Sequence, residues 1–209
     1  DQNRVIDQFR GDEDKARMAA SILLTGTGVP FVYYGEEIGM SGIKPDEDIR
    51  RPMQWQSNGP KVGFTTGTPW REPADDFPVR SVERQNDEPD SLLNHYRALI
   101  HLRNEHEALR VGAWTLVDSG SPRIYAFLRQ SENETILVVM NLNGKQAVTE
   151  DKYGLNIELG FLEGAKAAVS LFGQEPRPLP ALTTDTEFVE YVPFGEIQPQ
   201  TLHVIQIEH

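Results

Sequence analysis

The chain has 209 residues, 20 of them Lys or Arg and 32 Asp or Glu, for a formal charge of −12, and it contains no cysteine. The missing cysteine excludes a disulfide scaffold, thiolate zinc sites and a cysteine nucleophile, while the acidic balance argues against a nucleic-acid or anionic-membrane partner. No apolar run approaches the roughly 18 residues of a membrane span, and no signal-like segment opens the chain. The length fits one large or two small domains. The first residue is Asp1, not Met, and the polar stretch Asp1-Gln2-Asn3-Arg4 has no element before it. It reads as the interior of a longer chain.

The first periodic segment follows Gly11. Asp12, Glu13 and Asp14 offer capping groups and negative charge at a helix start. Ala16, Ala19, Ala20, Leu23 and Leu24 then recur at helical spacing until Gly26 and Gly28 stop the pattern. This predicts a helix over about residues 13–25. Pro30-Phe31-Val32-Tyr33-Tyr34-Gly35 follows, apolar without alternation, which predicts a buried strand of a parallel sheet at 31–34. From Glu36 to about Pro89 there is little periodicity, but Trp55 and Trp70 argue against disorder. Either the tryptophans anchor this long loop or they line a cleft. Pro89-Asp90-Ser91 opens a second helix, with Asp90 or Ser91 as its cap. Its apolar face is Leu92, Leu93, Tyr96, Leu99 and Ile100, and it is expected to reach about Glu107.

After Val111-Gly112 the pattern changes to short β segments, expected at 113–118, 122–130, 134–142, 145–150, 155–159, 166–172, 186–192 and 200–208. Turns at Ser119-Gly120, Asn143-Gly144, Glu163-Gly164 and Pro193-Phe194-Gly195 recur at the spacing of an antiparallel sandwich. The fold class is therefore α/β plus all-β, with residues 1–111 in one domain and 112–209 in an antiparallel β-sandwich. One parallel strand and two helices cannot close a sheet buried on both faces. Residues 1–111 are thus expected to be the end of a larger α/β domain.

Carboxylates are the best candidates for chemistry. His95, His101 and His106 share no metal-binding i, i+4 spacing, His203 falls in a strand and His209 is terminal. All five read as solvated or packed. Gly26-Thr27-Gly28 follows a helix and lacks the lysine of a phosphate loop, and no nucleophile elbow supports a serine triad. In α/β barrels, active sites are built from loops after the strand C-termini. Glu36 and Glu37 leave the predicted strand at that edge, and Asp1, ahead of the first helix, belongs on the same face. Such a rim beneath an aromatic loop suits sugar chemistry, with a plain solvated rim as the alternative. Asp46-Glu47-Asp48 reads as a solvated turn, the alternative being a cation site.

These residues carry a resemblance. Asp1-Gln2-Asn3-Arg4-Val5 resembles the continuation of the Asn-His-Asp-Gln motif of the alpha-amylase family, glycoside hydrolase family thirteen. Residues 28–40, from Gly28 to Met40, look like its eighth barrel strand and exit. Arg50-Arg51-Pro52-Met53-Gln54-Trp55 and Gly63-Phe64-Thr65-Thr66-Gly67-Thr68-Pro69-Trp70 are similar to a loop of bacterial alpha-amylases and oligo-α-glucosidases. Leu92-Leu93 through Tyr96-Arg97 to Leu102-Arg103 resembles the last barrel helix. The likeness is specific over residues 1–110; beyond them it is only architectural.

The resemblance implies the C-terminal part of a (β/α)8 barrel followed by the family's domain C. It implies a retaining hydrolase of α-1,4-linked glucans such as starch and maltooligosaccharides. The implied nucleophile and acid/base lie on strands not in this sequence, so these 209 residues are expected to be inactive without the missing N-terminal part of the barrel. Asp1 matches the catalytic carboxylate that holds the hydroxyls of the distorted sugar ring. Arg51 and Trp55 are implied to border the substrate, as binding groups or as anchors. Arg4 either helps hold the catalytic carboxylates or forms a structural ion pair. Tyr33 and Tyr34 are expected to pack in the barrel interior. No metal is assigned here, although calcium is compatible with the complete protein. The partner is then an α-glucan, with no nucleic acid and no membrane. The lack of cysteine leans toward an extracellular protein. Two other readings remain: an oligo-α-glucosidase or trehalose-synthase-type enzyme of the same family, and a non-catalytic carbohydrate-binding or scaffold module.

Overall fold

Helix α2 spans Glu13–Thr25 in the computed structural model, which describes residues 2–181 and 187–209. It starts because the Asp12 carboxylate accepts the Lys15 backbone N–H at 3.1 Å, satisfying one donor that the first helical turn leaves free. Backbone contacts divide the chain into two units, residues 1–20 with 30–100, and residues 21–29 with 101–209.

In the first unit a short helix α1 (Val5–Gln8) precedes α2, and two short helices, α3 (Asp46–Ile49) and α4 (Val82–Asn86), punctuate the long aperiodic stretch. Helix α5 (Leu92–Glu105) begins at Ser91, whose Oγ accepts the Asn94 N–H at 3.1 Å and donates to the Gln85 carbonyl at 2.8 Å. Ile38, Met40, Met53 and Leu93 form its local core, with Val82 packed against them. Gln85 ties the loop to the helix, donating to the Ile38 carbonyl at 2.8 Å and accepting the Leu93 N–H at 3.0 Å. The aperiodic stretch is therefore held by buried polar side chains, a device with no periodic trace in sequence.

The predicted strand at 31–34 does not form. Tyr33 has no regular structure, Tyr34 lies in a turn, and Phe31 is 85% exposed. A strand persists through its ladder with neighbours, and among the described residues the first unit has no other strand to pair with it.

The second unit is built on β1 (Ala113–Val117), β2 (Ile124–Gln130), β3 (Thr135–Asn141), β4 (Val148–Thr149), β5 (Leu155–Glu158), β6 (Ala167–Phe172), β7 (Phe188–Tyr191), β8 (Glu196–Ile197) and β9 (Leu202–Glu208). A five-stranded antiparallel sheet in the order β1-β2-β3-β9-β6 is accompanied by the two-stranded pairs β4-β8 and β5-β7. Eight strands fall within the predicted segments; β8 is additional. Its two residues are too few to show alternation. The inner face alternates: Ala126 and Leu128 of β2, Leu137 and Val139 of β3, and Ile205 and Ile207 of β9 meet Leu155, Ile157 and Tyr191 in one core. β3 is buried along its whole length and reads Ile-Leu-Val-Val-Met between Thr135 and Asn141, as expected for a central strand covered on both sides.

Helix α5 stops at Glu105, short of the expected Glu107, because Glu134 starts a separate helix α6 (Glu107–Val111). Its carboxylate accepts the Ala108 N–H at 2.9 Å and lies 3.0 Å from His106 Nδ1. The far end of α2 is closed by two buried arginines. Arg103 donates to the carbonyls of Leu24 (2.8 Å), Gly26 (3.0 Å) and Gly28 (2.6 Å). Arg129, 1% exposed, donates to Thr25 (2.8 Å), Gly26 and Gly112 (3.0 Å). A helix C-terminus leaves four carbonyls without partners and carries partial negative charge, so cations belong there.

Candidate active site

The carboxylates at the predicted strand exit sit in a short 3-10 turn, Glu36–Ile38, between two left-handed glycines, Gly35 (φ 79°) and Gly39 (φ 67°). A Cβ on Gly35 would come within 2.8 Å of Met40 Sδ, so only glycine lets the chain fold back here. Glu36 is held by Tyr96 of α5, whose hydroxyl donates to Oε1 at 3.1 Å, and by the Tyr33 N–H, 3.3 Å from Oε2. Burial pushes the Tyr96 hydroxyl far above its ordinary pKa, so it remains a donor. Burial also raises the Glu37 carboxyl, only partly offset by backbone N–H groups and by Arg4, and its Oε2 is buried without a partner.

Arg4 is 5% exposed. Its Nε donates to the Ile49 carbonyl at 2.9 Å and its Nη1 to the Tyr34 carbonyl at 2.5 Å. The guanidinium lies 4.6 Å from the Tyr33 ring centroid and 4.8 Å from that of Tyr34, a distance at which a ring face attracts a cation. Nη2 is buried and has no partner among the described residues. Burial lowers the Arg4 pKa, opposed by the two tyrosines and by Glu37. Arg4 thus makes no salt bridge among the described residues; carbonyls and rings hold it. Tyr33 and Tyr34 do not pack in an interior: both rings are about two-fifths exposed and brace Arg4.

Arg51 is committed elsewhere. Its Nε and Nη2 donate to Asp48 Oδ1 at 3.1 and 2.8 Å, and Nη1 donates to the Pro73 carbonyl at 3.0 Å. Arg71 donates to the same Asp48 oxygen at 2.8 Å, and Arg71 followed by Arg51 holds the Asp48 carboxyl below the usual range. The expected solvated turn at 46–48 is instead a helical turn bearing a double ion pair. Trp55 is 50% and Trp70 60% exposed, so neither anchors the loop by burial. In the stretch before Trp55, Met53 and Gln54 are buried.

Two of the grooves on this unit involve the expected site residues. One, of about 400 Å³, is lined by Asn3, Arg4, Tyr33, Glu36, Asp46 and Arg50. The other, of about 550 Å³, is lined by Asp7, Lys44, Asp48, Arg51, Asp75 and Asp76, among others. Arg4 and Arg51 therefore line different grooves, joined through the Tyr34 hydroxyl, which donates to the Arg51 carbonyl at 2.9 Å. Trp55 lines neither. The expected site residue Asp1 lies outside the described residues. Tyr96 and Arg71 are site groups that residue patterns did not single out. Tyr96 sat on an apolar helical face, where a ring is read as core. Among the described residues, no group of three His, Cys, Asp or Glu side chains could hold a metal ion. His95 and His203 are buried, and desolvation lowers both to about 4.

A carboxylate turn backed by an arginine, followed along the chain by an antiparallel β domain, is the layout of a barrel-type glycoside hydrolase at the end of its catalytic domain. The comparisons specify the family. Residues 1–112 match the alpha amylase catalytic domain, and residues 114–183 the maltogenic amylase C-terminal domain. The chain is 40% identical over 145 residues to alpha-amylase 3 of Dictyoglomus thermophilum, covering 68% of this chain and 28% of that protein. It is 30% identical over 189 residues to the probable oligo-1,6-glucosidase 2 of Bacillus subtilis, covering 71% and 34%. The alpha-amylase from H. orenii superposes with a TM-score of 0.73 at 35% identity, over 99% of this chain and 38% of that one. The trehalulose synthase MutB from Pseudomonas mesoacidophila MX-45, at 23% identity and a TM-score of 0.69, shares the fold. The chain belongs to the alpha-amylase family of glycoside hydrolases. It spans about a third of the length of the curated relatives it matches.

Proposed function

We propose that these residues are the C-terminal part of a retaining glycoside hydrolase acting on α-1,4-linked glucans, and that alone they turn over no substrate. The observation that carries this reading is the catalytic-domain match over residues 1–112, which starts on Asp1 and includes the arginine-backed carboxylate turn. Asp1 holds the sugar hydroxyls, through bonds that tighten as the ring flattens toward an oxocarbenium ion. The nucleophile and acid/base come from the rest of the barrel. Arg4 acts as a positioning residue, since its bonds fix the backbone at Tyr34 and Ile49. Arg51 shapes the rim through Asp48, and Trp55 offers an exposed ring to the substrate.

In the complete enzyme, Asp1→Asn should lower kcat by several orders of magnitude and leave the melting temperature close to wild type. A loss of less than tenfold removes Asp1 from the catalytic set. Turnover of p-nitrophenyl maltosides by the 209-residue chain alone would overturn the claim of inactivity. A second reading, an oligo-α-glucosidase, rests on the Bacillus subtilis relative, which matches 71% of this chain at 30% identity, against 68% at 40% identity for the alpha-amylase. Comparing isomaltose with maltotriose as substrates of the complete enzyme decides between the two.

A further inference from the structure

A groove of about 470 Å³ opens within the β domain, apart from both grooves described above. Among the described residues, strand β1 is an edge of the five-stranded sheet and β5 forms a ladder only with β7, so each presents one side without a ladder. The two strands touch at a single bridge, where the Asn156 N–H donates to the Asp118 carbonyl at 2.8 Å; the Gly154 N–H donates to the Ser119 carbonyl at 3.0 Å just beyond it. The groove is the wedge lined by residues 115–118 on one side and 156–158 on the other. Backbone groups alternate sides along a strand. Since Asp118 and Asn156 face each other, Leu116 and Glu158, two residues away on each strand, turn their own N–H and C=O into the wedge.

The lining pairs rings with hydroxyl-binding groups. Phe188 is 48% and Leu116 58% exposed, and Phe161 is half-buried beside them. Asp118, Asn156 and Glu158 rim the opening and are exposed. Asp118 Oδ1 accepts the Gly120 N–H at 3.0 Å, and its second oxygen has no partner among the described residues. No Lys or Arg is among the described lining residues, which disfavours an anionic ligand. A chain of pyranose rings has the complementary chemistry: apolar C–H faces for phenyl rings, and hydroxyls that both donate to carboxylates and accept from an amide or a backbone N–H.

We propose that the β1–β5 wedge is a second α-glucan-binding site, separate from the candidate active site. It would hold a neutral maltooligosaccharide segment against Phe188 and Phe161, with Asp118, Asn156 and Glu158 on its hydroxyls. This rests on the α-glucan reading above only for the identity of the sugar.

The test is native electrophoresis of the 209-residue chain through gels containing soluble starch, with maltoheptaose as competitor. Retardation is expected, reversed by maltoheptaose, and weakened about tenfold in both Phe188→Ala and the double variant Asn156→Ala/Glu158→Ala. All three side chains are exposed, and circular dichroism would verify the fold of each variant. Trp55→Ala reports binding at the other unit, and the retardation that remains in it should still be weakened by the groove substitutions. No retardation, or retardation lost with Trp55→Ala and kept in the groove variants, overturns the proposal. So does concentration-dependent self-association abolished by Leu116→Lys, which would make the wedge a strand-pairing surface between copies. Turnover by the complete enzyme is measured separately. Inactivity there with retardation intact would sink the hydrolase reading and spare the groove, and the converse result would do the reverse.

Discussion

At Arg4 a buried cation makes no carboxylate hydrogen bond among the described residues, and two carbonyls with two tyrosine rings hold it. A lysine would keep the charge but lose the planar fork and the stacking. Arg4→Lys is therefore expected to lower the melting temperature by about 5–10 °C, given roughly 2–4 °C per kcal/mol at this size. A melting temperature within a degree of wild type would mean that the rings and carbonyls contribute little. His203 gives a pH prediction. Its Nδ1 accepts the Gln174 N–H at 3.1 Å, which requires that nitrogen to be unprotonated. Burial lowers the folded pKa to about 4, from an unfolded value near 6.5, and His95 behaves alike. Between those values the unfolded chain binds more protons, so stability is full above about pH 6.5 and falls as pH drops toward 4. Denaturant melts across that window should show the decline, reduced in His203→Gln; a flat profile would contradict the burial assigned to both rings. Residue chemistry of this kind was only half legible. Position along the chain names Arg4 and both glutamates as candidates, but not Tyr96, because a helix-face tyrosine looks the same in sequence whether its hydroxyl is used or not.

Elements with a local period were easiest to read. Helix α2 and eight of the nine strands follow from spacing, and the strands bury a face in the core of the β domain. The segment at 31–34 failed for a physical reason: its apolar run needs neighbours, and without them it stays open. The closure of α2 was not legible either, since Arg103 and Arg129 are distant in sequence and look like ordinary surface cations. Both are buried, and desolvation lowers their pKa values, with Arg103 adding to the effect on Arg129. Arg129→Met should therefore free the Thr25 and Gly112 carbonyls and destabilise the second unit by about 2–4 kcal/mol. Amide exchange at residues 22–26 reports this directly. Unchanged protection there would show that Arg103 suffices.

For the whole molecule, the exposed run from Val29 to Tyr34 sets the solution behaviour. Val29 and Phe31 are 77% and 85% exposed, an apolar edge of the sort that drives association. The 209-residue chain should bind a hydrophobic dye strongly, and Phe31→Asp should reduce that fluorescence at least twofold without altering the melting temperature. Equal fluorescence in the variant would move the apolar surface elsewhere.

The arginine clasp on α2 also bears on how this family's parts can be exchanged. The two family matches meet at residues 112 and 114, inviting a cut between them. Yet Arg129, on the far side of that cut, holds Thr25 and Gly112 on the near side. A β domain transplanted from a relative will serve only if it brings a guanidinium to that spot. The modular unit is therefore the domain together with the helix end it grips, and grafting boundaries drawn from sequence alone would sever it.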